Sequence, residues 1–325
     1  IARTHGYDAF PEELGAARTS AVPDHPLFQL EDALREDLIG RGLLEASNPA
    51  FAREGEGDVE LVNPVSSEEA WLRWDLLPGL LRNVEYNFAR GARSIRLFEM
   101  GTVFRGAGVG NPPLEEPRLA LVLTGLDRPP HWEDDDMPVD VWSLKEIVAA
   151  LLSRARAAGA TMAPLKGADR FIAEDAGFKL LSTDGDTIGR AGRVRKSLVD
   201  APAWAGPVWC AELALPLEPE LGAAVEYRPI HQYPGVERDL ALLLPASVSA
   251  AVAMSTIQGA GGELLTNVRI FDLYRGAGIP DGTRSVAYRL RLQAGDRTLT
   301  DEEADDLVHR VVRRLREELG VEQRI

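Results

Sequence analysis

At 325 residues with 45% apolar content, the chain is longer than one hydrophobic core usually serves and predicts two domains, or three if one is small. No run approaches the roughly eighteen apolar residues of a membrane helix, and Ile1-Ala2-Arg3-Thr4-His5 lacks the basic start and apolar middle of a signal peptide, so a soluble, cytoplasmic protein is expected. The single cysteine, Cys210, excludes an intrachain disulfide framework and a cysteine-rich zinc site, while a net charge of −15 argues against phosphate binding by the chain as a whole.

In chain order, Ile1 opens what reads as the tail of a helix rather than the start of a domain, and without an initiator methionine the chain is expected to be a piece of a longer one. Residues 1–23 read as that tail and a linker. Leu27, Leu30, Leu34 and Leu38 predict an amphipathic helix over Asp24–Gly42, ended by Gly40 and Gly42, with a strand over Leu43–Asn48. Asn63-Pro64-Val65-Ser66-Ser67-Glu68-Glu69 reads as a turn, and Trp71–Ala89 as a helix in two pieces broken near Pro78, because the residue before proline avoids the helical region. Ile95–Phe104 and Arg118–Gly125 predict an antiparallel pair, Val139–Gly159 a long helix, and Phe171–Leu215 short strands, one of which buries Cys210. Pro216–Pro229 reads as a second linker. Beyond it come a strand over Arg238–Leu244, a helix over Ser247–Gln258, strands over Leu264–Tyr274 and Ser285–Gln293, a helix over Thr300–Leu319 and a clipped last strand over Val321–Ile325. The class is α+β, with an antiparallel-sheet module over residues 24–227 followed by a ferredoxin-like βαββαβ domain over 228–325.

Charge is distributed unevenly between these parts. From Arg228 onward thirteen arginines meet fourteen acids, a net charge of −1, so the upstream residues carry −14. Between Arg269 and Arg297 six arginines face three acids, a local basic patch inside an acidic protein. Two helices on one face of a βαββαβ sheet leave the other face open, and strand alternation predicts what lines it. Val286, Tyr288, Leu290 and Leu292 suit the core, which turns Ser285, Ala287, Arg289 and Arg291 outward. Phe271 and Leu273 suit the core, turning Asp272 and Tyr274 outward; Leu240, Leu242 and Leu244 do the same for Asp239 and Ala241. An aromatic ring, two arginines, a carboxylate and small residues are what single-stranded RNA needs: a base stacks on the ring while polar groups read its edge. Asp272, which only accepts hydrogen bonds, suits the donors of a guanine Watson–Crick edge. A solvated or protein-packed sheet shows the same alternation, so a non-enzymatic interaction protein whose sheet meets protein is the competing reading.

Arg238-Asp239-Leu240-Ala241, Phe271-Asp272-Leu273-Tyr274-Arg275-Gly276 and Asp296-Arg297-Thr298-Leu299-Thr300-Asp301-Glu302-Glu303 together resemble the ferredoxin-fold anticodon-binding domain that ends the β chain of bacterial phenylalanyl-tRNA synthetase. Asn63-Pro64-Val65-Ser66, Leu72-Arg73-Trp74-Asp75-Leu76-Leu77-Pro78-Gly79-Leu80-Leu81, Asn87-Phe88-Ala89-Arg90-Gly91 and Leu97-Phe98-Glu99-Met100-Gly101 are similar to the catalytic-like module of that chain. The resemblance implies a degenerate class II synthetase fold that scaffolds a catalytic α subunit in an α2β2 heterotetramer, with tRNA(Phe) as the other partner. ATP and Mg²⁺ are then expected for the whole enzyme, with no cofactor in this part. It also implies that Tyr274 stacks the first anticodon base, that Asp272 reads it, and that Ala241 and Ser285 line the pocket of another base. Arg289 and Arg291 rest on strand alternation alone, as phosphate or stacking contacts. The chain departs from the family at Phe171-Ile172-Ala173-Glu174-Asp175-Ala176 and at Ile188-Gly189-Arg190-Ala191-Gly192-Arg193, where His-Pro-containing turns are usual.

No catalytic residue or metal site is predicted. Gly185-Asp186-Thr187-Ile188-Gly189-Arg190-Ala191-Gly192-Arg193 has the glycines of a nucleotide motif, but Pro202 follows where a long helix should run, and the segment reads as a hairpin. Gly106–Gly110 precedes Asn111-Pro112-Pro113 instead of a helix. His131-Trp132-Glu133-Asp134-Asp135-Asp136 reads as a solvated acidic loop, since consecutive acids cannot all face one ion.

Overall fold

A computed structural model describes residues 2–10, 24–108, 110–133, 135–155, 160–219 and 232–324. The chain divides into two units, Ile1–Ala223 and Ala224–Ile325. Much of both expected linkers (residues 11–23 and 220–231), Asp134, and the last residues of the expected helix ending at Gly159 lie outside the described residues.

In the first unit the single turn α1 (Ala2–His5) precedes α2 (Pro26–Gly40), which buries Leu30, Leu34 and Leu38 as their spacing predicts. The strand expected over Leu43–Asn48 shrinks to β1 (Leu44–Glu45). Three two-residue strands, β2 (Phe51–Ala52), β3 (Val59–Glu60) and β4 (Trp71–Leu72), form a small sheet in the order β2-β4-β3. The two-piece helix expected from Trp71 is therefore corrected: Trp71 lies in a strand, and α3 (Leu77–Phe88) starts with Pro78 in its first turn. Proline is tolerated there because a first-turn N–H has no helical partner to lose. There follow β5 (Ile95–Arg105), β6 (Leu114–Thr124), α4 (Val141–Arg154), β7 (Thr161–Pro164), β8 (Ile172–Leu181), β9 (Thr187–Val194) and β10 (Trp209–Ala214). They build a seven-stranded sheet in the order β1-β5-β6-β10-β9-β8-β7, antiparallel except where β1 meets β5. Alternation along β6 feeds two cores. Leu119, Leu121 and Leu123 pack with residues of α2 and α4, while Ala120 and Val122 pack with α3 and with Cys210, whose thiol burial pushes up. Gly189 and Gly192 sit inside β9, where added Cβ atoms would strike the backbone carbonyls of Glu212 and Ala176, so close strand approach explains them.

One buried ion pair ties the small sheet to the large one. Arg73 donates to Glu99 at 2.6 Å and to the Thr102 carbonyl at 3.0 Å, and Asn48 donates to Glu99 at 2.7 Å. Glu99→Ala would leave the guanidinium buried without its carboxylate, and the expected loss is about 3–5 kcal/mol of stability in urea denaturation.

The second unit runs β11 (Val236–Pro245), α5 (Ala250–Gly261), β12 (Leu265–Tyr274), β13 (Thr283–Leu292), α6 (Asp301–Leu319) and β14 (Glu322–Gln323), the expected βαββαβ order. Its sheet is antiparallel in the order β12-β13-β11-β14. Leu240, Leu242 and Leu244 from β11 and Val286, Tyr288, Leu290 and Leu292 from β13 are buried with Ile257, Leu307, Val311 and Leu315 of the helices. Burial pushes the Tyr288 phenol up to about 12, and its hydroxyl donates to the Ala250 carbonyl at 3.2 Å.

Thr300 caps α6, and Glu303 completes the capping box by accepting the Thr300 amide at 3.0 Å. Arg297 grips the same carboxylate with two bonds of 2.7 Å, and these hydrogen bonds hold Glu303 down at about 2. Because the folded group titrates below its ordinary value of 4.5, its stabilisation is complete above that pH and is lost as pH falls toward about 2. Melting temperature followed across that window should fall less steeply for Glu303→Gln than for the parent chain.

Candidate nucleic-acid interface

The strand registers order the face of the second unit's sheet that α5 and α6 leave uncovered. Tyr274 lies opposite Ser285, which in turn faces Leu243. In the next row Asp272 faces Ala287, which faces Ala241, and the Arg324 amide donates to the Ala241 carbonyl at 2.8 Å. Arg269, Arg289 and Asp239 make a third row, and Arg291 opposite Glu237 a fourth. Rows two residues apart are separated by about 7 Å. All six residues expected at the site, Ala241, Asp272, Tyr274, Ser285, Arg289 and Arg291, thus share one face, with Tyr274 and Asp272 bordering a floor of Ser285, Ala287 and Ala241.

Alternation along β12 was misread at one position. Phe271 was expected in the core, yet a bulge between Ile270 and Asp272 breaks the alternation, and the Phe271 ring is about half exposed with the Arg289 guanidinium carbon 4.8 Å from its centre. The bulge is what lets Ile270, opposite core Tyr288, and Asp272, opposite Ala287, keep different faces. Leu273, opposite Val286, does point to the helix side, but at an edge strand where it stays 54% exposed. Ser285 faces the open side yet is only 4% exposed.

Two charged groups here are already engaged. Arg289 donates two bonds of 2.7 Å to Asp239, and those bonds hold the Asp239 carboxyl below its ordinary range. Arg324 reaches across the two middle strands to place its guanidinium carbon 5.2 Å from the centre of the Tyr274 ring, a distance at which cation and π face attract. The Tyr274 hydroxyl donates to the Ala277 carbonyl at 3.2 Å, which fixes the ring. Asp272 and Arg291 make no side-chain hydrogen bond or ion pair among the described residues. Sequence reading missed Arg324. Its signal was the alternation that starts at buried Val321 and turns Glu322 and Arg324 outward.

The first unit has a charged cavity of about 240 Å³ whose lining includes Asp75, Glu116, Arg118, Asp169, Arg190 and Glu212. Arg190 binds Asp75 at 2.5 Å and Glu212 at 2.9 Å, and Arg118 binds Glu116 at 3.0 Å. Burial works against the Arg190 charge, but Glu212, Asp75 and Asp169 hold it above its ordinary value. Burial and Asp75 push the Glu212 carboxyl up. Arg118 and Arg190 are thus engaged with carboxylates, whereas Arg105 and Lys179, which also line the cavity, make no ion pair among the described residues. No group of three or more His, Cys, Asp or Glu suited to a metal occurs among the described residues.

A family model described as the phenylalanyl-tRNA synthetase beta chain CLM domain matches residues 10–215. The chain belongs to the phenylalanyl-tRNA synthetase β-chain family. A second model, the ferredoxin-fold anticodon binding domain, matches residues 231–324 of this β-chain member. Similar curated relatives are phenylalanine–tRNA ligase β subunits. That of Salinibacter ruber is 34% identical over all of this chain and 42% of its own length. That of Xanthomonas campestris is 35% identical over 96% of this chain and 40% of its own, and that of Symbiobacterium thermophilum 32% identical over 100% and 37%. The chain therefore spans about two fifths of the length of these relatives. Among solved structures, a pyrrolysyl-tRNA synthetase from Desulfitobacterium hafniense is similar with a TM-score of 0.44 and 17% identity, covering 59% of this chain and 64% of its own.

Replacing Arg289 with alanine removes the bonds that depress Asp239. Its carboxyl should then titrate in the ordinary aspartate range, which ¹³C NMR of the side-chain carboxyl would read.

Proposed function

We propose that this β-chain member scaffolds a catalytic α subunit through its first unit and holds the anticodon of tRNA(Phe) on the open sheet of its second, within a cytoplasmic α2β2 enzyme that joins phenylalanine to tRNA. The observation that carries the anticodon role is Asp272, a carboxylate with no ion pair or side-chain hydrogen bond among the described residues, two positions from Tyr274 on the same strand and bordering a floor of Ala241, Ala287 and Ser285. A base stacked on Tyr274 brings its edge to Asp272, and a guanine edge offers the donors a carboxylate accepts. Small floor residues let the plane approach, and Arg324, already against the ring, supplies a cation to the stack. Arg291 is available to a phosphate, whereas Arg289 would first have to release Asp239.

The scaffold role is supported by apolar side chains left outside on α2 and β1, where Phe28, Ile39 and Leu44 are each more than half exposed. ATP and Mg²⁺ act on the α subunit in this proposal. No helix of the described residues is long and apolar enough to cross a membrane.

Tyr274→Ala should weaken tRNA(Phe) binding by about 1–3 kcal/mol, roughly 5- to 150-fold, in a filter assay on the α–β enzyme. Unchanged affinity would refute the stacking role. The chain purified alone should show no phenylalanine-dependent ATP–pyrophosphate exchange, and turnover there would refute the non-catalytic assignment.

A further inference from the structure

On the open face of the second unit, ring and guanidinium are paired twice along β12, once on either side of Asp272. Beyond Asp272, Tyr274 has the Arg324 guanidinium carbon 5.2 Å from its ring centre. Before it, Phe271 has that of Arg289 at 4.8 Å. Arg289 bonds Asp239 across the open face, so a ring this close to its guanidinium lies on that face too. The bulge between Ile270 and Asp272 is what brings it there.

Packing does not account for this ring. Phe271 takes no part in the core beneath the helices, and it stays 46% exposed with the cation beside it. The cation is itself held. Asp239 receives two bonds of 2.7 Å from Arg289, and Glu237 approaches the same guanidinium at 3.8 Å. A carboxylate that grips a guanidinium with two bonds fixes its plane and uses up the fork a phosphate would need. Phe271, Arg289 and Asp239 together therefore carry no net charge and offer flat surface, which suits the face of a base rather than the backbone.

We propose that Phe271, with Arg289 held beside it by Asp239, is a second stacking platform and takes the base of a nucleotide next to the one on Tyr274, without reading its identity. The inference rests on the anticodon role given above to Tyr274 and Asp272. Strand residues rise about 3.3 Å each, so Phe271 and Tyr274 stand roughly 10 Å apart or less along β12, against about 3.4 Å between stacked bases. The two rings thus hold separate bases, splayed from one another, with Asp272 between them. A phenyl ring has no hydrogen-bonding group, so any base satisfies it.

The test titrates labelled tRNA(Phe) with the α–β enzyme by fluorescence anisotropy. Phe271→Leu keeps an apolar side chain but loses the π face, and should weaken binding about 5-fold or more, whereas Phe271→Tyr should retain it. The same titration uses two further RNAs, each with one neighbour of the first anticodon nucleotide made abasic. With one of them the parent and Phe271→Leu enzymes should bind equally, because the group that stacks is already gone. This comparison decides even if Phe271→Leu lowers the thermal melt, since a damaged fold weakens all three RNAs alike. Asp239→Asn combined with Arg289→Gln leaves net charge unchanged and should weaken binding with no change in the slope of log K against log salt. A slope lower by about 1 would make Arg289 a phosphate ligand and overturn the proposal. It is also overturned if Phe271→Leu binds like the parent, or if its loss is undiminished with both abasic RNAs, which would mean that the ring meets something other than a base. Tyr274→Ala in the same assay separates the two readings: if it weakens binding while Phe271→Leu does not, only the second platform falls, and if neither does, both fall.

Discussion

Everything attributed to the second unit depends on the pleat of its four-stranded sheet being locked by burial on one side. Leu240, Leu242, Leu244, Val286, Tyr288, Leu290 and Leu292 cannot leave the helices without exposing the whole core, so a slip of β11 against β13 by one residue would be heavily penalised. That lock sets Ala241, Ser285, Ala287, Arg289 and Arg291 on the other side with no contribution from any ligand. The make-up of the open face is thus a by-product of core packing and needs no separate folding instruction. Tyr288 fits the same logic, since its ring fills the core while its hydroxyl finds the Ala250 carbonyl at the rim.

The first unit applies burial differently. Its central sheet is covered on both faces, and at one end the buried polar groups are all ionic: Asp75, Glu212, Arg118 and Arg190 neutralise one another. A cluster of this kind holds strands from different parts of the sheet in place.

The sequence was most legible where a repeat met a clear difference in polarity. The leucines of α2, the alternation in β11 and β13, and the Thr300–Glu303 box each point to one arrangement, and each was found there. It was least legible where a single residue changes the rule. Pro78 obeys the same steric preference whether it breaks a helix or starts one, and only the pairing of Trp71 with β2 and β3 decides between the two. Phe271 looks like core by composition, and its exposure follows from a bulge that no local pattern announces. Arg324 was passed over because its strand is only two residues long and its partner ring lies two strands away. The ion pairs that occupy Arg289 and Arg190 are tertiary, formed between residues 50 and 22 positions apart, and are invisible to any window-based reading.

The bulge in β12 has an effect unrelated to recognition. This strand is a sheet edge carrying Ile270, Phe271 and Leu273, all substantially exposed, and a flat edge of that composition invites another chain to extend the ladder. The extra residue kinks the strand and spoils the even spacing of its free amides and carbonyls, so an incoming strand cannot pair along its length. The same irregularity that turns Asp272 and Tyr274 to the open face therefore also makes this edge a poorer template for another strand.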